Sequence, residues 1–187
     1  SYARIEESGF LQWPCVNADD PGTEIVHRDG DFLRGKAKLT ATPWQPPGEL
    51  PDEEYPWMLT TGRQLFHYNV GTMTRRTDLA KLNKGKEETL RIYPGDARQI
   101  GVWSGDLVEV ESRRGKVTVR AEVTRASNKG TVFMTFHFPE SRTNLLIGDA
   151  ADEYTGCPEY KVCAVRLTKV AEAGANGRNG SRDLTAG

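Results

Sequence analysis

The sequence lacks most of the patterns that mark a self-contained catalytic site. No G-x-S-x-G nucleophile elbow, no Walker loop ending in Lys-Ser/Thr and no strand followed by G-x-G-x-x-G occurs among the 187 residues. The histidines are His27, His67 and His137, and neither His67 nor His137 has a convincing nucleophile or carboxylate partner in the sequence. These absences argue against an autonomous hydrolase, a P-loop phosphate site and a Rossmann nicotinamide site.

Cysteine is scarce as well. Cys15, Cys157 and Cys163 are odd in number, and none belongs to a C-x-x-C pair. A disulfide framework, a structural zinc site or an iron–sulfur cluster within this chain is therefore not expected. We expect three ordinary, semi-buried thiols in a reducing compartment, which favours a prokaryotic cytoplasmic location, with the periplasm as an alternative.

Neither a charge excess nor a long apolar run is present. The chain has 25 basic and 26 acidic residues, so no overall field attracts nucleic acid or an acidic membrane. No apolar run reaches the roughly 18 residues of a membrane-spanning helix, and no basic-then-apolar signal segment opens the chain. We expect no nucleic-acid partner and no direct membrane insertion.

Short strands separated by turns dominate the sequence from residue 55 onward. Apolar or alternating runs predict strands over residues 55–61, 89–93, 106–111, 116–124, 131–136 and 161–170. Helical pieces are predicted over residues 77–83 and 94–101. Six or seven strands at this spacing indicate a mainly β fold, a closed β-barrel with small helical inserts in which antiparallel pairing dominates.

The first 50 residues have a different texture. A short helix over residues 2–11 and a strand over residues 35–42 are predicted, joined by loops rich in Pro, Gly and Asp. Trp13, Phe32 and Trp44 have no visible partner here, so we expect residues 1–50 to be an extended arm that packs on neighbouring domains. Residues 51–170 would form the barrel domain, and residues 171–187 a flexible tail.

The most informative stretch, residues 60–76, follows the first predicted barrel strand. It contains three Arg, one His, one Gln, one Asn, one Tyr and several Thr, a density of donors that a core strand could not satisfy. Such a stretch suits a polar, phosphorylated ligand; a solvated loop with incidental arginines is the alternative. The groups proposed for the ligand are the guanidinium groups of Arg63, Arg75 and Arg76, the hydroxyls of Thr61, Thr72 and Thr74, and the backbone at Gly62 and Gly71.

A set of motifs occurs in one order along nearly the whole chain. The pieces are Gly9-Phe10-Leu11-Gln12-Trp13-Pro14-Cys15, Trp44-Gln45-Pro46-Pro47, Leu59-Thr60-Thr61-Gly62-Arg63, His67-Tyr68-Asn69, Thr72-Met73-Thr74-Arg75-Arg76, Ser112-Arg113-Arg114-Gly115, Phe136-His137-Phe138 with Asn144, and Pro158-Glu159-Tyr160-Lys161. With this ordered set the chain resembles the C-terminal part of the large subunit of molybdenum or tungsten enzymes of the dimethyl-sulfoxide-reductase superfamily, and among them formate dehydrogenase catalytic subunits.

The resemblance implies a double-psi β-barrel, a molybdopterin-dinucleotide-binding domain that covers one of two pyranopterin guanine dinucleotides (bis-MGD) chelating Mo or W. It also implies a substrate channel to the metal beside Phe136 or His137. The cofactor-binding residues that it implies are Thr61, Gly62, Arg63, Gln64, His67, Tyr68, Asn69, Thr72, Asn144, Tyr160 and Lys161.

The resemblance also implies what lies outside this chain. The metal ligand, the catalytic histidine and the iron–sulfur motifs of the family have no match in this sequence. We therefore predict no catalytic residue and no metal ligand here, and a chain that is inactive alone. Its expected partners are the remainder of the catalytic subunit, with its iron–sulfur cluster, and electron-transfer iron–sulfur subunits.

Two alternatives stay open at this point. The same domain occurs in relatives with other substrates, such as nitrate reductase or a formylmethanofuran dehydrogenase subunit. A barrel used only for protein interaction is the other alternative, and it predicts that Arg63, Arg75 and Arg76 point apart.

Overall fold

The computed structural model describes residues 1–30, 32, 35–77 and 87–172. By its internal contacts the chain divides into two compact units, Ser1–Gln45 and Pro46–Gly187. None of the helices in the described residues is both long and apolar enough to cross a membrane.

The first unit has little regular structure. Its helix α1 spans Tyr2–Ser8; the Ser1 hydroxyl accepts from the backbone N–H of Arg4, and Gly9, with φ 79°, ends the helix. The predicted strand over residues 35–42 is wrong: Gly35 forms one isolated bridge, and residues 37–42 are neither helix nor strand. Leu39 is 94% exposed, so the alternation there has no buried face to form.

Large aromatic side chains of this unit remain on its surface. Trp13 and Trp44 are largely exposed, and Phe32 stacks on the His27 ring at a centroid distance of 4.2 Å. The proposed packing of this arm on neighbouring domains stays a prediction.

The described residues of the second unit form six strands, all within two residues of their predicted bounds. The strands are β1 Trp57–Gly62, β2 Thr89–Ile92, β3 Leu107–Glu111, β4 Lys116–Val123, β5 Thr131–Thr135 and β6 Cys163–Ala171. Helix α2, Pro94–Gln99, follows β2, and 3-10 turns at Thr74–Arg76 and Thr143–Leu146 follow β1 and β5. The predicted helix over residues 77–83 falls almost wholly outside the described residues.

The six strands close a barrel in the order β1-β5-β2-β4-β3-β6. Antiparallel pairs join β1 to β6, β2 to β5, β3 to β4 and β3 to β6, as predicted, while β1–β5 and β2–β4 are parallel. Adding three to each strand number maps this pairing onto itself, so β1–β3 and β4–β6 are pseudo-symmetric halves. This interlocked arrangement of two parallel crossovers is the double-psi β-barrel.

The pairing directions also fix which connections share an end of the barrel. The carboxyl ends of β1, β3 and β5 lie beside the amino ends of β2, β4 and β6. We call this end the β1 rim; it comprises residues 63–77, 87–88, 112–115, 136–148 and 158–162. Helix α2 follows the carboxyl end of β2 and therefore lies at the opposite end.

Inward-facing side chains fill the barrel. The core includes Leu59, Leu90, Ile92, Val108, Val110, Val132, Met134 and Val165, all fully buried. Of the three cysteines, all free thiols, Cys163 belongs to this core, Cys15 is half-buried and Cys157 is exposed. The expectation of semi-buried thiols thus describes only Cys15.

Candidate functional site

Every residue that the sequence places in the site lies at the β1 rim or at the strand ends that meet there. The loop after β1, the loop after β5 and the segment before β6 supply them because β1 pairs with both β5 and β6. The residues are Thr61, Gly62, Arg63, Gln64, His67, Tyr68, Asn69 and Thr72 after or at the end of β1, Phe136, His137 and Asn144 after β5, and Tyr160 and Lys161 before β6.

The end of β1 is tied directly to the segment before β6. The backbone N–H of Thr61 donates to the carbonyl oxygen of Tyr160 at 3.1 Å, and the Thr61 hydroxyl donates to the same oxygen at 2.7 Å. The Lys161 ammonium donates to the carbonyl oxygen of Thr61. A Cβ at Gly62 would lie 2.8 Å from the Phe133 ring, so only glycine lets the chain pass here. These contacts bring Thr61, Gly62, Tyr160 and Lys161 together.

The loop that follows, residues 63–73, is called the β1 loop. Two of its backbone groups bond to His137: the N–H of Gln64 donates to Nε2 at 2.7 Å, and Nδ1 donates to the carbonyl oxygen of Asn69. Asn69 has φ 47° and Gly71 φ 70°, so the loop turns through the left-handed region. The side chains of Arg63, Tyr68, Asn69 and Thr72 stay exposed along it.

His67 carries an unused hydrogen-bonding atom at this rim. Its side chain is only 6% exposed; Nδ1 lies 3.1 Å from the Thr74 hydroxyl, and the buried Nε2 has no hydrogen-bond partner among the described residues. A buried polar atom without a partner costs free energy, on the order of 1–3 kcal/mol. The arrangement is what a site awaiting a polar ligand requires.

The arginines of the stretch do not act alike. Arg63 is exposed at the start of the β1 loop, with its guanidinium 5.8 Å from the Tyr68 ring centroid and 6.0 Å from that of Phe136. Arg75 is committed to Glu140 by an ion pair of 2.6 Å and lies over the Phe138 ring. Because Arg75 already has an anionic partner, it is less available to a ligand than the prediction of three ligand-binding arginines assumed.

Asn144 reaches the rim on the second 3-10 turn, with an exposed side chain. The turn is anchored through Leu146, whose carbonyl oxygen accepts from Cys163 Sγ at 2.7 Å and from Arg114 Nη2 at 2.9 Å. Burial raises the pKa of the Cys163 thiol, which keeps it a donor. Because Cys163 follows Lys161 by two residues, the segments carrying Asn144 and Lys161 are neighbours.

Phe136 and His137 differ from the sequence-based expectation. Both were expected beside a substrate channel, but Phe136 is half-buried, whereas His137 is fully buried with both ring nitrogens bonded inside the chain. A substrate channel beside them stays a prediction, and of the two only Phe136 has an accessible face.

Glu88 is a rim residue that the sequence did not reveal. Its side chain is buried and accepts from the Thr135 hydroxyl at 2.5 Å and from the Thr135 backbone N–H at 2.8 Å, at the end of β5. Burial raises the pKa of Glu88 to about 7, although the Thr135 and Thr89 donors and Arg91 oppose the rise. A lone glutamate before a strand gives no sequence signal of this kind.

We expect Glu88→Gln to remove a pH dependence of stability. A raised folded-state pKa contributes stability that is complete below pH 4.5 and is lost as the pH rises through about 7. The free energy of unfolding should therefore fall by about 2–3 kcal/mol across this window in the parent chain and much less in the variant. Urea unfolding at pH 4.5, 6 and 8 measures it.

The control is Glu87→Gln, because Glu87 is the exposed neighbour and is paired with Arg120. It should leave the pH dependence unchanged. An equal slope in the parent chain and in Glu88→Gln would show that Glu88 titrates normally in the folded state.

The residues at the rim fit a pterin dinucleotide. Exposed donors and acceptors at Arg63, Tyr68, Asn69 and Thr72 suit pterin edges and pyrophosphate oxygens. The orphaned Nε2 of His67 offers one more polar contact. No contact among these residues requires a metal ligand from this chain.

Comparison with known proteins gives consistent results. Residues 57–164, more than half of the chain, match the family described as the molydopterin dinucleotide binding domain. The chain is 46% identical over 172 residues to F420-dependent formate dehydrogenase 2 subunit alpha of Methanococcus maripaludis and 42% identical over 174 residues to F420-dependent formate dehydrogenase subunit alpha of Methanocaldococcus jannaschii. Both matches cover 91% of this chain, which spans about a quarter (25%) of the length of these curated relatives.

Other enzymes are similar to this chain in sequence or in fold. The assimilatory nitrate reductase catalytic subunit of Bacillus subtilis is 36% identical over 179 residues, which cover 91% of this chain and 24% of that protein. Acetylene hydratase from Pelobacter acetylenicus matches in structure with a TM-score of 0.54 and 18% identity, over 63% of this chain and 19% of that one, which supports the fold. The barrel, the residues gathered at its β1 rim and the family match lead to one conclusion: this chain belongs to the molydopterin dinucleotide-binding domain family.

Proposed function

We propose that this chain is the domain of a formate dehydrogenase catalytic subunit that binds one pyranopterin guanine dinucleotide of a Mo or W bis-MGD cofactor at the β1 rim. The whole enzyme would oxidise formate to CO2, with the metal ligand, the catalytic histidine and the iron–sulfur cluster supplied by the remainder of the subunit. When bound, the cofactor supplies the two-electron chemistry, and this chain supplies binding and orientation.

The observation that carries this proposal is the tie between Thr61 and Lys161 beside an exposed β1 loop. The bonds of Thr61 to Tyr160 and Lys161 fix where the loop starts, and Gly62 lets the chain pack closely against the Phe133 ring. Arg63 follows at once with an exposed side chain, and its guanidinium lies 5.8 Å from the Tyr68 ring centroid. Binding of a pyrophosphate needs a fixed backbone and preorganised donors, such as a guanidinium group that can form two parallel hydrogen bonds to phosphate oxygens.

Support for formate as the substrate comes from the relatives. The two proteins reported above with the highest identity are alpha subunits of formate dehydrogenases, at 42% and 46%. Electron-transfer iron–sulfur subunits are the partners proposed with this function. The cytoplasm is the proposed location.

Arg63→Ala in the full-length enzyme tests the site. We expect the molar ratio of dinucleotide to protein to fall by at least tenfold, because a charge-assisted bond to phosphate would be lost. The ratio is measured by the fluorescence of the oxidised pterin released in acid. Arg98→Ala is the matched control, since Arg98 is an exposed arginine of α2 at the opposite end of the barrel, and it should retain the full ratio.

Equal ratios in the two variants would place the cofactor elsewhere. Absence of any pterin from the purified parent enzyme would reject the proposed function and favour a barrel used for protein interaction.

Nitrate reduction is the second candidate, favoured by the 36% identity to the assimilatory nitrate reductase catalytic subunit. An assay of the loaded enzyme with formate and with nitrate separates the two. Formate oxidation without nitrate reduction is the expected result, and the reverse result would transfer the assignment to nitrate.

A further inference from the structure

His137 joins two elements that carry the candidate site. It lies two residues beyond β5, and its backbone N–H donates to the Thr135 hydroxyl at 3.4 Å. Since Thr135 pairs with Gly62 across the parallel β1–β5 ladder, His137 stands beside the start of the β1 loop. Its imidazole is fully buried.

The imidazole spans the loop rather than touching it at one point. Nε2 accepts from the N–H of Gln64 at 2.7 Å, and Nδ1 donates to the carbonyl oxygen of Asn69, five residues later. A backbone N–H only donates and a carbonyl oxygen only accepts, so these partners require the neutral tautomer with its proton on Nδ1.

The bond to Asn69 holds the loop where its backbone is least favourable. Asn69 has φ 47°, and the N–H of Gly71 donates to the carbonyl oxygen of Tyr68 at 2.9 Å to complete the turn. A residue in the left-handed region persists when its surroundings fix it. The exposed side chains of Arg63 and Tyr68 project from the backbone fixed in this way.

The groups around the ring favour its neutral form. Burial lowers the pKa of His137, and electrostatic interactions with His67 and Arg63, both on the β1 loop, lower it further, whereas the bond to Asn69 opposes them. On its own segment the ring meets Phe136 and Phe138, which are uncharged. Nearby, Arg75 is paired with Glu140, and Glu88 is bonded to Thr135.

We propose that His137 is a positioning residue that fixes the β1 loop at Gln64 and Asn69 as a neutral imidazole and thereby sets how slowly the enzyme releases its pterin dinucleotide. The part about release rests on the proposed function. A proton on Nε2 would face the N–H of Gln64 and break this hydrogen bond. The β1 loop is therefore held less firmly as the pH falls.

Two variants of His137 separate the effect of its hydrogen bonds to the β1 loop from the effect of its packing. His137→Leu fills space without hydrogen bonds, whereas His137→Gln keeps one donor and one acceptor and does not titrate near neutral pH. Phe138→Leu is the control, because Phe138 is a buried ring next to His137. All are made in the full-length enzyme.

The first measurement is the amide exchange of Gln64, followed by mass spectrometry on enzyme freed of cofactor. We expect protection in the parent, in His137→Gln and in Phe138→Leu, and at least tenfold faster exchange in His137→Leu. In the parent, protection should fall as the pH drops below about 6.5, the ordinary pKa of histidine, after correction for intrinsic exchange. In His137→Gln it should not.

The second measurement is the rate at which loaded enzyme releases the dinucleotide at pH 7.5. His137→Leu should release it at least ten times faster than the parent, and His137→Gln within threefold. Equal rates of amide exchange at Gln64 in all four proteins would overturn the proposal that His137 fixes the β1 loop. Faster amide exchange at Gln64 in His137→Leu with an unchanged rate of dinucleotide release would overturn the proposed link between His137 and cofactor release. Failure of the proposed function would show separately, as a parent enzyme that holds no dinucleotide.

Discussion

Replacement of Leu59 by Ala should lower the free energy of unfolding of the chain by about 3 kcal/mol. Leu59 is fully buried at the centre of β1, where it is paired with Val132 on β5 and with Cys163 on β6. A closed barrel holds these neighbours in place on both sides, so the cavity left by the lost methyl groups cannot collapse. Urea unfolding followed by tryptophan fluorescence measures the change.

Leu65→Ala is the matched control for this prediction. It makes the same chemical change in the β1 loop, where Leu65 is 90% exposed, and should alter stability by less than about 0.5 kcal/mol. Similar losses in both variants would contradict the placement of Leu59 in the core.

Gly62→Val should abolish most retention of the dinucleotide, by at least tenfold, in the full-length enzyme. The first added carbon would lie 2.8 Å from Cε2 and 3.1 Å from Cζ of Phe133 and 3.8 Å from the Lys161 ammonium nitrogen. Overpacking of this kind shifts side chains and backbone, at a cost of about 1–3 kcal/mol. The shift would fall on the Thr61–Lys161 bond that fixes the start of the β1 loop.

Thr60→Val provides the control, because it places the same side chain two residues earlier in β1, where Thr60 is paired with Phe133. Its retention should stay within twofold of the parent. The double variant Gly62→Val, Phe133→Ala should recover part of the loss, since the ring that blocks the valine is removed. Full retention in Gly62→Val itself would mean that the cofactor does not depend on the end of β1.

The strands were predictable because the barrel buries one face of each. Val117, Val119 and Ala121 alternate with exposed neighbours along β4, which is the pattern of a half-buried strand. Alternation reports which face is buried but not which strand lies alongside. Alternation therefore did not predict the parallel β1–β5 and β2–β4 pairs, which follow only from the resemblance to a family with a double-psi β-barrel. At Leu39 the alternation predicted a strand that does not form, because no buried face exists there.

The site was predictable where residues expose polar groups in a loop. Arg63, Tyr68 and Asn69 belong to a stretch too rich in donors for a core. The supporting residues were not predictable in this way. Glu88 and His137 act from buried positions through hydrogen bonds to distant segments, and a spacing in sequence does not encode such contacts across 47 or 68 residues.

The pseudo-symmetric pairing has a consequence for how the chain is made. Only the β3–β4 pair joins strands that are consecutive in sequence, while Leu59 must find Cys163 near the end of the barrel. Such high contact order makes folding slow and concerted, because the entropy of closing long loops is lost before the contacts form. A nascent chain that ends before residue 161 lacks the Lys161 ammonium that bonds to the end of β1, and one that lacks β6 cannot close the barrel. Translation must therefore pass the last strand before the β1 rim can take its final geometry, so the rim forms only after all six strands have been made.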